Sequence, residues 1–196
     1  MVLYLLAGMV QVFATSLTDA SSACKNGDGG SCLFIGALYY TGKEIKQDLN
    51  MAKVYYIKAC ELKVAAGCTE LGNLFYTGEG VKQDDKEAIR YYMQACELDG
   101  SLGCRYLGDQ YNLGQGVEQN ITTAGHFYHK ACILGDSEGC KQDKLIKKNH
   151  TINPSRNTSV KLQGKESTFT SKMKQYKNLK KERDQLIQEA ELLDKL

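Results

Sequence analysis

The chain has 196 residues, which is enough for one compact domain or for a short repeat array with a tail. Its net charge of +2 hides an asymmetry, because residues 1–140 hold 11 Lys/Arg against 16 Asp/Glu, whereas residues 141–196 hold 14 against 7. The acidic first part lacks the basic footprint of a nucleic-acid-binding protein, so no nucleic-acid partner is expected. A single proline and 19 glycines indicate many helices joined by tight turns.

The N-terminal stretch from Val2 to Ala14 is apolar but too short to span a membrane. It matches the apolar region of a secretory signal peptide, with Val12-Phe13-Ala14 as a small-residue cleavage site, although a basic segment before it is missing. We therefore predict a signal peptide over residues 1–14 and a secreted or periplasmic protein without a membrane span. The alternative is an N-terminal helix that packs on the rest of the chain.

The cysteines form two interleaved ladders, each with a period of 36 residues: Cys24, Cys60, Cys96, Cys132 and Cys32, Cys68, Cys104, Cys140. A fixed period of about 20–50 residues is the signature of stacked supersecondary units. The C-x7-C spacing is wider than in one half of a zinc site and no histidine pair completes it, so we predict no metal and no cofactor. Four cysteine pairs in a chain of this size instead predict a disulfide framework formed in an oxidising compartment.

Each unit predicts two helices, A and B, joined by a loop. Helix A carries an apolar residue, a glycine and an aromatic residue at i, i+1 and i+4: Ile35/Leu71/Leu107, Gly36/Gly72/Gly108 and Tyr39/Phe75/Tyr111. The glycine predicts a close approach of a neighbouring helix. Loop glycines allow positive φ at the end of helix A, and an Asp or Asn can cap helix B. Helix B repeats Ala52/Ala88/Ala124, Tyr56/Tyr92/Tyr128, Ala59/Ala95/Ala131 and Leu62/Leu98/Leu134.

The repeats set the predicted organisation in chain order. We expect a half-repeat cap over 15–31, repeats over 32–67, 68–103 and 104–139, and a degenerate C-terminal cap over 140–148. Residues 149–170 are polar and patternless and contain the only proline, which predicts a linker. Over residues 171–196 apolar residues recur at helical spacing among charges, which predicts an amphipathic helix that makes a coiled-coil or docking contact. An isolated charged helix is the alternative.

Geometry determines the predicted pairing of the cysteines. In one continuous helix, residues eight apart are separated by about 12 Å, whereas bridged Cα atoms lie about 4.4–6.8 Å apart. The helix must therefore break between the two cysteines of a pair, where the chain places glycines and aspartates. We predict bridges 24–32, 60–68, 96–104 and 132–140, each joining the end of a helix B to the start of the next helix A and contributing roughly 2.5 kcal/mol.

The units CLFIGALYYTGKEIKQDLNMAKVYYIKAC (32–60) and CTELGNLFYTGEGVKQDDKEAIRYYMQAC (68–96) carry a family resemblance. Leu-Gly, Gly-x-Gly-Val-x-Gln-Asp, Tyr-Tyr and Ala-Cys recur in register over about residues 20–141. This stretch resembles Sel-like repeats, relatives of the tetratricopeptide repeat, and the paired cysteines resemble the Helicobacter cysteine-rich protein family. The resemblance implies an all-α, right-handed α/α solenoid and an exported protein. It also implies penicillin binding or slow β-lactamase activity, and some family members are discussed as secreted proteins sensed by a host.

The residues themselves give little support for a β-lactamase. Serine enzymes of that class use S-x-x-K together with S-D-N and K-T-G elements. Ser22-Ala-Cys-Lys25 and Ser171-Lys-Met-Lys174 match the first pattern, but neither of the other two elements occurs in the chain. We interpret both matches as chance, so the catalytic residues are unknown and enzymatic activity rests on the resemblance alone.

Two further patterns have plain structural explanations. His126 and His129 lie at i, i+3 on one predicted helix and could form a weak zinc pair, but unlike residues replace both in the other repeats, which favours a structural or surface pair. Asn120, Asn149 and Asn157 begin N-x-[ST] acceptor patterns. Asn120 is more simply the cap of the third helix B.

Binding is better supported than catalysis. Along helix A, positions 33/69/105, 37/73/109 and 40/76/112 vary at i, i+4 and i+7 on the face away from Leu-Gly, and this face lines the concave groove in tetratricopeptide-like solenoids. A groove of this kind can hold an extended peptide or protein segment, a β-lactam or a cell-wall-derived carboxylate. We predict Asn73 and Asn112 as hydrogen-bond partners, Arg105 as a carboxylate clamp, and Tyr40 and Tyr76 as stacking walls. The full predicted set is Tyr40, Asn73, Tyr76, Arg105, Asp109 and Asn112, and a merely solvated face is the alternative.

Overall fold

The computed structural model describes residues 17–152, and residues 17–149 belong to one compact unit. Residues 17–25 form α1, and seven helices follow: α2 (Gly29–Thr41), α3 (Leu49–Glu61), α4 (Ala65–Thr77), α5 (Asp85–Glu97), α6 (Ser101–Leu113), α7 (Ile121–Ile133) and α8 (Ser137–Ile152). This part of the chain contains no strand. The predicted signal peptide and C-terminal helix lie outside the described residues.

The helices alternate between the two predicted types and stack as a solenoid. Helices α2, α4 and α6 correspond to helix A, and each packs on the helix B that follows it, namely α3, α5 and α7. Each helix B also packs on the next helix A, and α4 contacts α6 directly, whereas α3 and α5 approach each other less. Around α4 and α6 the A helices therefore lie on the inside of the array. The prediction of an all-α solenoid is confirmed.

The ends of the helices follow from local sequence. Asp48, Asp84 and Asn120 precede α3, α5 and α7, and their side chains accept hydrogen bonds from backbone N–H groups of the first helical turn. A glycine ends each helix A in the left-handed conformation, as at Gly78, where φ is 78° and the N–H donates to the carbonyl of Leu74. The loop between a helix A and its helix B is thus fixed at both of its ends, as the repeated loop motif predicts.

The glycine of each Leu-Gly pair marks the closest contact between helices A and B. A Cβ atom built on Gly72 would lie 2.5 Å from the ring of Tyr92, and the same clash recurs for Gly36 with Tyr56 and for Gly108 with Tyr128. The three tyrosines are buried, with exposed fractions of 2, 1 and 1% for Tyr56, Tyr92 and Tyr128. The predicted close approach at these glycines is therefore present in every repeat.

Four disulfides join neighbouring helices. The bridges are Cys24–Cys32, Cys60–Cys68, Cys96–Cys104 and Cys132–Cys140, with Cα–Cα distances of 4.8, 4.6, 4.5 and 4.4 Å. Each bridge spans the turn between a helix B and the next helix A, as the spacing predicts. No cysteine of the chain is free.

The structure differs from two predicted boundaries. Each helix A begins three residues before its cysteine, at Gly29, Ala65 and Ser101 rather than at 32, 68 and 104, so the cysteines lie within the first turn. Helix α8 continues to Ile152, four residues into the predicted linker, because no helix-breaking residue occurs before Pro154. Among the described residues, no helix combines the length and the hydrophobicity that a membrane crossing requires.

Candidate ligand-binding face

The exposed side of α2, α4 and α6, which we call the inner face, carries a mixture of apolar and polar side chains. Phe34, Leu102 and Leu113 are 46, 44 and 60% exposed there. These three helices contain no lysine, and their only charged residues are Glu70, Arg105 and Asp109. Because lysines occur in the loops and on the B helices, the inner face differs in charge from the rest of the array.

Two of the predicted ligand-binding residues hold the buried tyrosines of helix B. The Tyr92 hydroxyl donates to Asn73 Oδ1 at 2.9 Å, and the Tyr128 hydroxyl donates to Asp109 Oδ1 at 2.7 Å. Burial raises the pKa of Asp109 and outweighs the Tyr128 hydrogen bond and the charge of Arg105, both of which act to lower it. Asn73 and Asp109, which the sequence predicts as ligand contacts, therefore already accept hydrogen bonds from tyrosines of the protein itself.

Arg105, predicted as a carboxylate clamp, already faces two carboxylates of the protein. Its guanidinium lies 3.4 Å from Asp109 Oδ2 and 3.3 Å from Asp136 Oδ1. It also lies over the ring of Tyr106, 4.4 Å from the ring centroid. Although burial acts to lower the pKa of Arg105, the charges around it raise that pKa overall. A ligand carboxylate would therefore have to compete with two resident carboxylates for this cation.

The predicted stacking walls connect neighbouring repeats. The Tyr40 hydroxyl donates to Glu79 Oε2 at 2.7 Å, and the Tyr76 hydroxyl donates to Gln115 Oε1 at 3.3 Å, so each tyrosine reaches the A–B loop of the next repeat. At Asn112 the backbone carbonyl accepts a hydrogen bond of 2.7 Å from Gln119 Nε2. These three residues lie at the loop end of the inner face.

Of the three variable positions, 33/69/105 does not lie on the inner face. Thr69 is only 3% exposed, and its hydroxyl donates to the carbonyl of Ala65. Leu33 packs against the apolar clusters on both sides of it. Position 33/69/105 therefore lies in the seam between neighbouring helix pairs, where Arg105 reaches Asp136. Helical spacing alone placed this position on the groove, but the packing of the next repeat covers it.

A group of which the sequence analysis predicted only Tyr40 lies where the first two repeats meet. We call it the first-junction cluster, and it consists of Ala37, Tyr40, Tyr56, Glu70 and Glu79. The hydrogen bond to Glu79 raises the pKa of Tyr40, and burial and the charges of Glu79 and Glu70 add to this effect. Burial, followed by the charge of Glu70, raises the pKa of Tyr56. The charge of Glu70 therefore acts on both phenols, whereas that of Glu79 acts on Tyr40.

The corresponding group between the second and third repeats carries a different set of side chains. Tyr106 and Gln115 take the places of Glu70 and Glu79 there, so both junction carboxylates are lost. The ring of Tyr106 packs on that of Tyr92, with centroids 5.3 Å apart. The two junctions have the same backbone plan but differ in charge and in hydrogen bonding.

A sequence signal for this group exists, although it is indirect. Positions 70 and 79 vary between repeats as strongly as the predicted groove positions do, and they read Phe/Glu/Tyr and Lys/Glu/Gln in the three units. Tyr56 repeats in every unit as a position of helix B, and its ring is buried. The difference at its hydroxyl becomes visible only when Tyr56 is compared with position 37/73/109, because the side chains of Asn73 and Asp109 accept the equivalent hydrogen bonds in the other two repeats.

The other sequence patterns take structural roles. His129 Nδ1 lies 3.1 Å from Asp143 Oδ2, which Lys147 also contacts at 2.7 Å. Among residues 17–152 no group of three or more His, Cys, Asp and Glu side chains is arranged to hold a metal. Asn120 caps α7, whereas Ser22 and Lys25 are both exposed on α1.

Comparison with known structures supports the fold. The solved structure of a Sel1 repeat protein from Oxalobacter formigenes has a TM-score of 0.61 and 24% identity, over 66% of this chain and 97% of that one. A protective antigen of uropathogenic Escherichia coli has a TM-score of 0.59 and 28% identity; the match covers 63% of this chain but only 26% of the antigen. Comparison with curated protein sequences gave no match.

The cysteine framework also has a structural relative. Cysteine-rich protein B of Helicobacter pylori has a TM-score of 0.56 and 30% identity, over 67% of this chain and 95% of that one. The Sel1 repeat model matches residues 30–64, 65–100 and 101–136, and these units begin close to the first residues of α2, α4 and α6. The resemblance to the Helicobacter cysteine-rich proteins is confirmed, and the chain belongs to the Sel1 repeat family.

Proposed function

We infer that the protein is a recognition module that binds an extended segment of another protein along its inner face. Sel1 repeats generally mediate protein–protein interactions. The observation that carries the inference is the composition of the inner face, where exposed Phe34, Leu102 and Leu113 alternate with hydroxyl, amide and carboxylate groups on successive helices. Exposed apolar side chains bordered by polar groups are typical of interaction surfaces.

A solenoid suits an extended partner because its helices repeat in register. Each helix A presents the same positions on the inner face, so a peptide that runs across α2, α4 and α6 meets a new set of side chains in every repeat. Backbone groups of the peptide can pair with the phenol and amide groups, and its apolar side chains can cover the exposed leucines. Variation between repeats would then give each subsite its own preference.

The disulfide framework supports an oxidising location. All four bridges close within the array, and such bridges persist outside the reducing cytosol. The similarity to cysteine-rich protein B of Helicobacter pylori agrees with this location. We therefore propose that the protein acts in the periplasm or outside the cell.

β-Lactam hydrolysis is a weaker candidate function. The described S-x-x-K match is on α1, where Ser22 and Lys25 are exposed and Cys24, between them, is bridged to Cys32. A serine nucleophile needs a base and oxyanion donors in a protected site. Hydrolysis of a chromogenic cephalosporin by the purified protein would show that it has β-lactamase activity.

The binding proposal can be tested with a matched pair of substitutions. Leu113 ends α6 on the inner face and is 60% exposed, and Ile133 ends α7 on a helix B and is 71% exposed. Phage-displayed random linear peptides selected on the wild-type protein should bind Leu113→Arg at least about tenfold more weakly. The same peptides should bind Ile133→Arg with nearly unchanged affinity. Equal affinities for both variants, or a loss at Ile133→Arg alone, would place the binding surface elsewhere.

A further inference from the structure

We propose that the Cys132–Cys140 disulfide is a site of thiol–disulfide exchange, at which the folded protein reacts with an external thiol while its other three bridges stay closed. The co-reactant is the thiol of a small molecule or of a second protein. This reaction is independent of the proposed peptide binding, because it depends on the burial of the bridges and not on the side chains of the inner face.

The four bridges differ in their access to solvent. All six cysteines of the first three bridges are buried, with exposed fractions between 0 and 3%. Cys132 and Cys140 are both partly exposed, although their bridge has the same sequence separation of 8 residues as the others. Exchange begins when a thiolate reaches a sulfur atom of the bridge, so access selects the bridge that reacts. The fourth bridge therefore offers an external thiol the most access.

The difference follows from what covers each bridge. In each of the first three bridges the cysteines share a buried apolar cluster with an alanine of the helix B that follows, namely Ala59, Ala95 or Ala131. An aromatic residue one turn earlier in the same helix B packs against each cluster. Helix α8 is the last described helix, and within residues 17–152 no helix B follows it. The fourth bridge lacks the cover that the other three share.

The ends of the two helices set the direction of attack. Cys132 lies in the last turn of α7, and Cys140 lies in the first turn of α8. The positive end of the α8 dipole stabilises a thiolate at Cys140, whereas the negative end of the α7 dipole disfavours one at Cys132. Since exchange is faster when the leaving thiolate is the more stable one, Cys140 is the leaving group and Cys132 is the sulfur attacked.

The reaction is a two-electron exchange between sulfur atoms. The entering thiolate forms a bond to Cys132 Sγ, the bond between the two cysteine sulfurs breaks, and its electron pair remains on Cys140 Sγ as a thiolate. The first product is thus a mixed disulfide at Cys132. A second thiolate then bonds to the sulfur that entered and releases Cys132 as a thiolate, so the two external thiols are oxidised to a disulfide and the bridge is reduced.

Limited reduction of the folded full chain tests this site. The protein is incubated with reduced glutathione, alkylated with iodoacetamide at intervals and mapped by mass spectrometry. Bridge 132–140 should open at least about tenfold faster than any other bridge, with the first glutathione adduct on Cys132. Equal rates for the four bridges, or earlier opening of another bridge, would overturn the proposal. A first adduct on Cys140 would overturn the direction of attack.

Two controls separate the burial of the bridges from their intrinsic reactivity. In concentrated guanidinium chloride the packing is lost, and the four bridges should open at rates within about threefold of one another. A preference for 132–140 that survives unfolding would contradict the role of the missing cover. The paired substitution Cys132→Ser and Cys140→Ser should abolish the fast reaction with glutathione, whereas Cys24→Ser with Cys32→Ser, at the buried bridge of the other end, should retain it.

A protein dithiol distinguishes the two sources of the thiol. Reduced thioredoxin and glutathione are compared on the folded protein, with each rate divided by the rate of the same reagent on a short disulfide-bonded peptide. A higher relative rate for thioredoxin would support a protein as the co-reactant, and a higher relative rate for glutathione would support a small thiol. Failure of both reagents to open 132–140 before the other bridges would overturn the exchange site.

Discussion

At the scale of single residues, the three helix-B tyrosines show how one repeated position can have two roles. Their rings fill the same space beside the Leu-Gly glycines, but only Tyr92 and Tyr128 have hydrogen-bonded hydroxyls. Tyr92→Phe and Tyr128→Phe should each lower the free energy of unfolding by about 1 kcal/mol or more, because each leaves a partly buried acceptor unpaired. Tyr56→Phe should cost close to nothing. Urea unfolding of the three variants measures this, and a comparable loss for Tyr56→Phe would show that its hydroxyl has an internal partner.

Asp109 gives the array a dependence on pH whose sign follows from its burial. Burial raises the pKa of Asp109 in the folded protein, so this group favours folding most when it is protonated and its contribution is lost as the pH rises through the raised pKa. Asp109→Asn keeps an acceptor for Tyr128, as Asn73 does for Tyr92. The stability of the variant relative to wild type should therefore be greater at pH 7 than at acidic pH. A difference that is constant with pH, or that grows on acidification, would contradict this account.

The residue scale also shows where sequence reasoning stops. Helix caps and left-handed glycines depend on neighbours within a few positions, so the loop motif alone predicts them. The bond from Tyr40 to Glu79 joins residues 39 positions apart, and the bond from Tyr92 to Asn73 joins residues 19 apart. A period of 36 residues indicates which positions correspond between units, but it does not show which side chains meet across two units.

At the scale of the elements, the glycine of each Leu-Gly pair determines how closely a helix A packs on the helix B that follows it. Gly72 has this role between α4 and α5. Gly72→Ala would place a Cβ 2.5 Å from the buried ring of Tyr92, and we expect a loss of about 1–3 kcal/mol in the free energy of unfolding. Gly125→Ala is the matched control within α7, because its Cβ would meet Ile146 at 3.4 Å, an ordinary contact. That change should leave stability unchanged or raise it by about 0.5–1 kcal/mol. Thermal unfolding compares the two, and equal effects would show that close packing at Gly72 is not required.

The element boundaries also show what composition can and cannot predict. The start of α2 three residues before Cys32 follows from Asp28, whose carboxylate accepts from the N–H groups of Gly30 and Ser31. The start of α4 lacks such a side-chain cap, and Val64 precedes it in an extended conformation. Packing of neighbouring helices therefore determines where α4 starts, and no local sequence motif predicts that start.

At the scale of the whole molecule, the bridges are expected to couple the repeats. Each closes a loop of eight residues, for which the chain-entropy model gives about 2.5 kcal/mol. Full reduction should lower the melting temperature sharply and make unfolding less cooperative, because each unit contacts only its neighbours. Circular dichroism during thermal unfolding, with free thiols counted to verify reduction, measures both effects. An unchanged melting curve would show that packing alone stabilises the array.

The central claim is that the inner face of the array binds an extended protein segment. Amide hydrogen exchange of the wild-type protein, with and without a peptide selected from the phage-displayed library, tests it most directly. The account predicts slower exchange in α4 (Ala65–Thr77) and α6 (Ser101–Leu113) when the peptide is bound, with little change in the exposed parts of α5 and α7. Slower exchange confined to α5 and α7, with α4 and α6 unchanged, would contradict it.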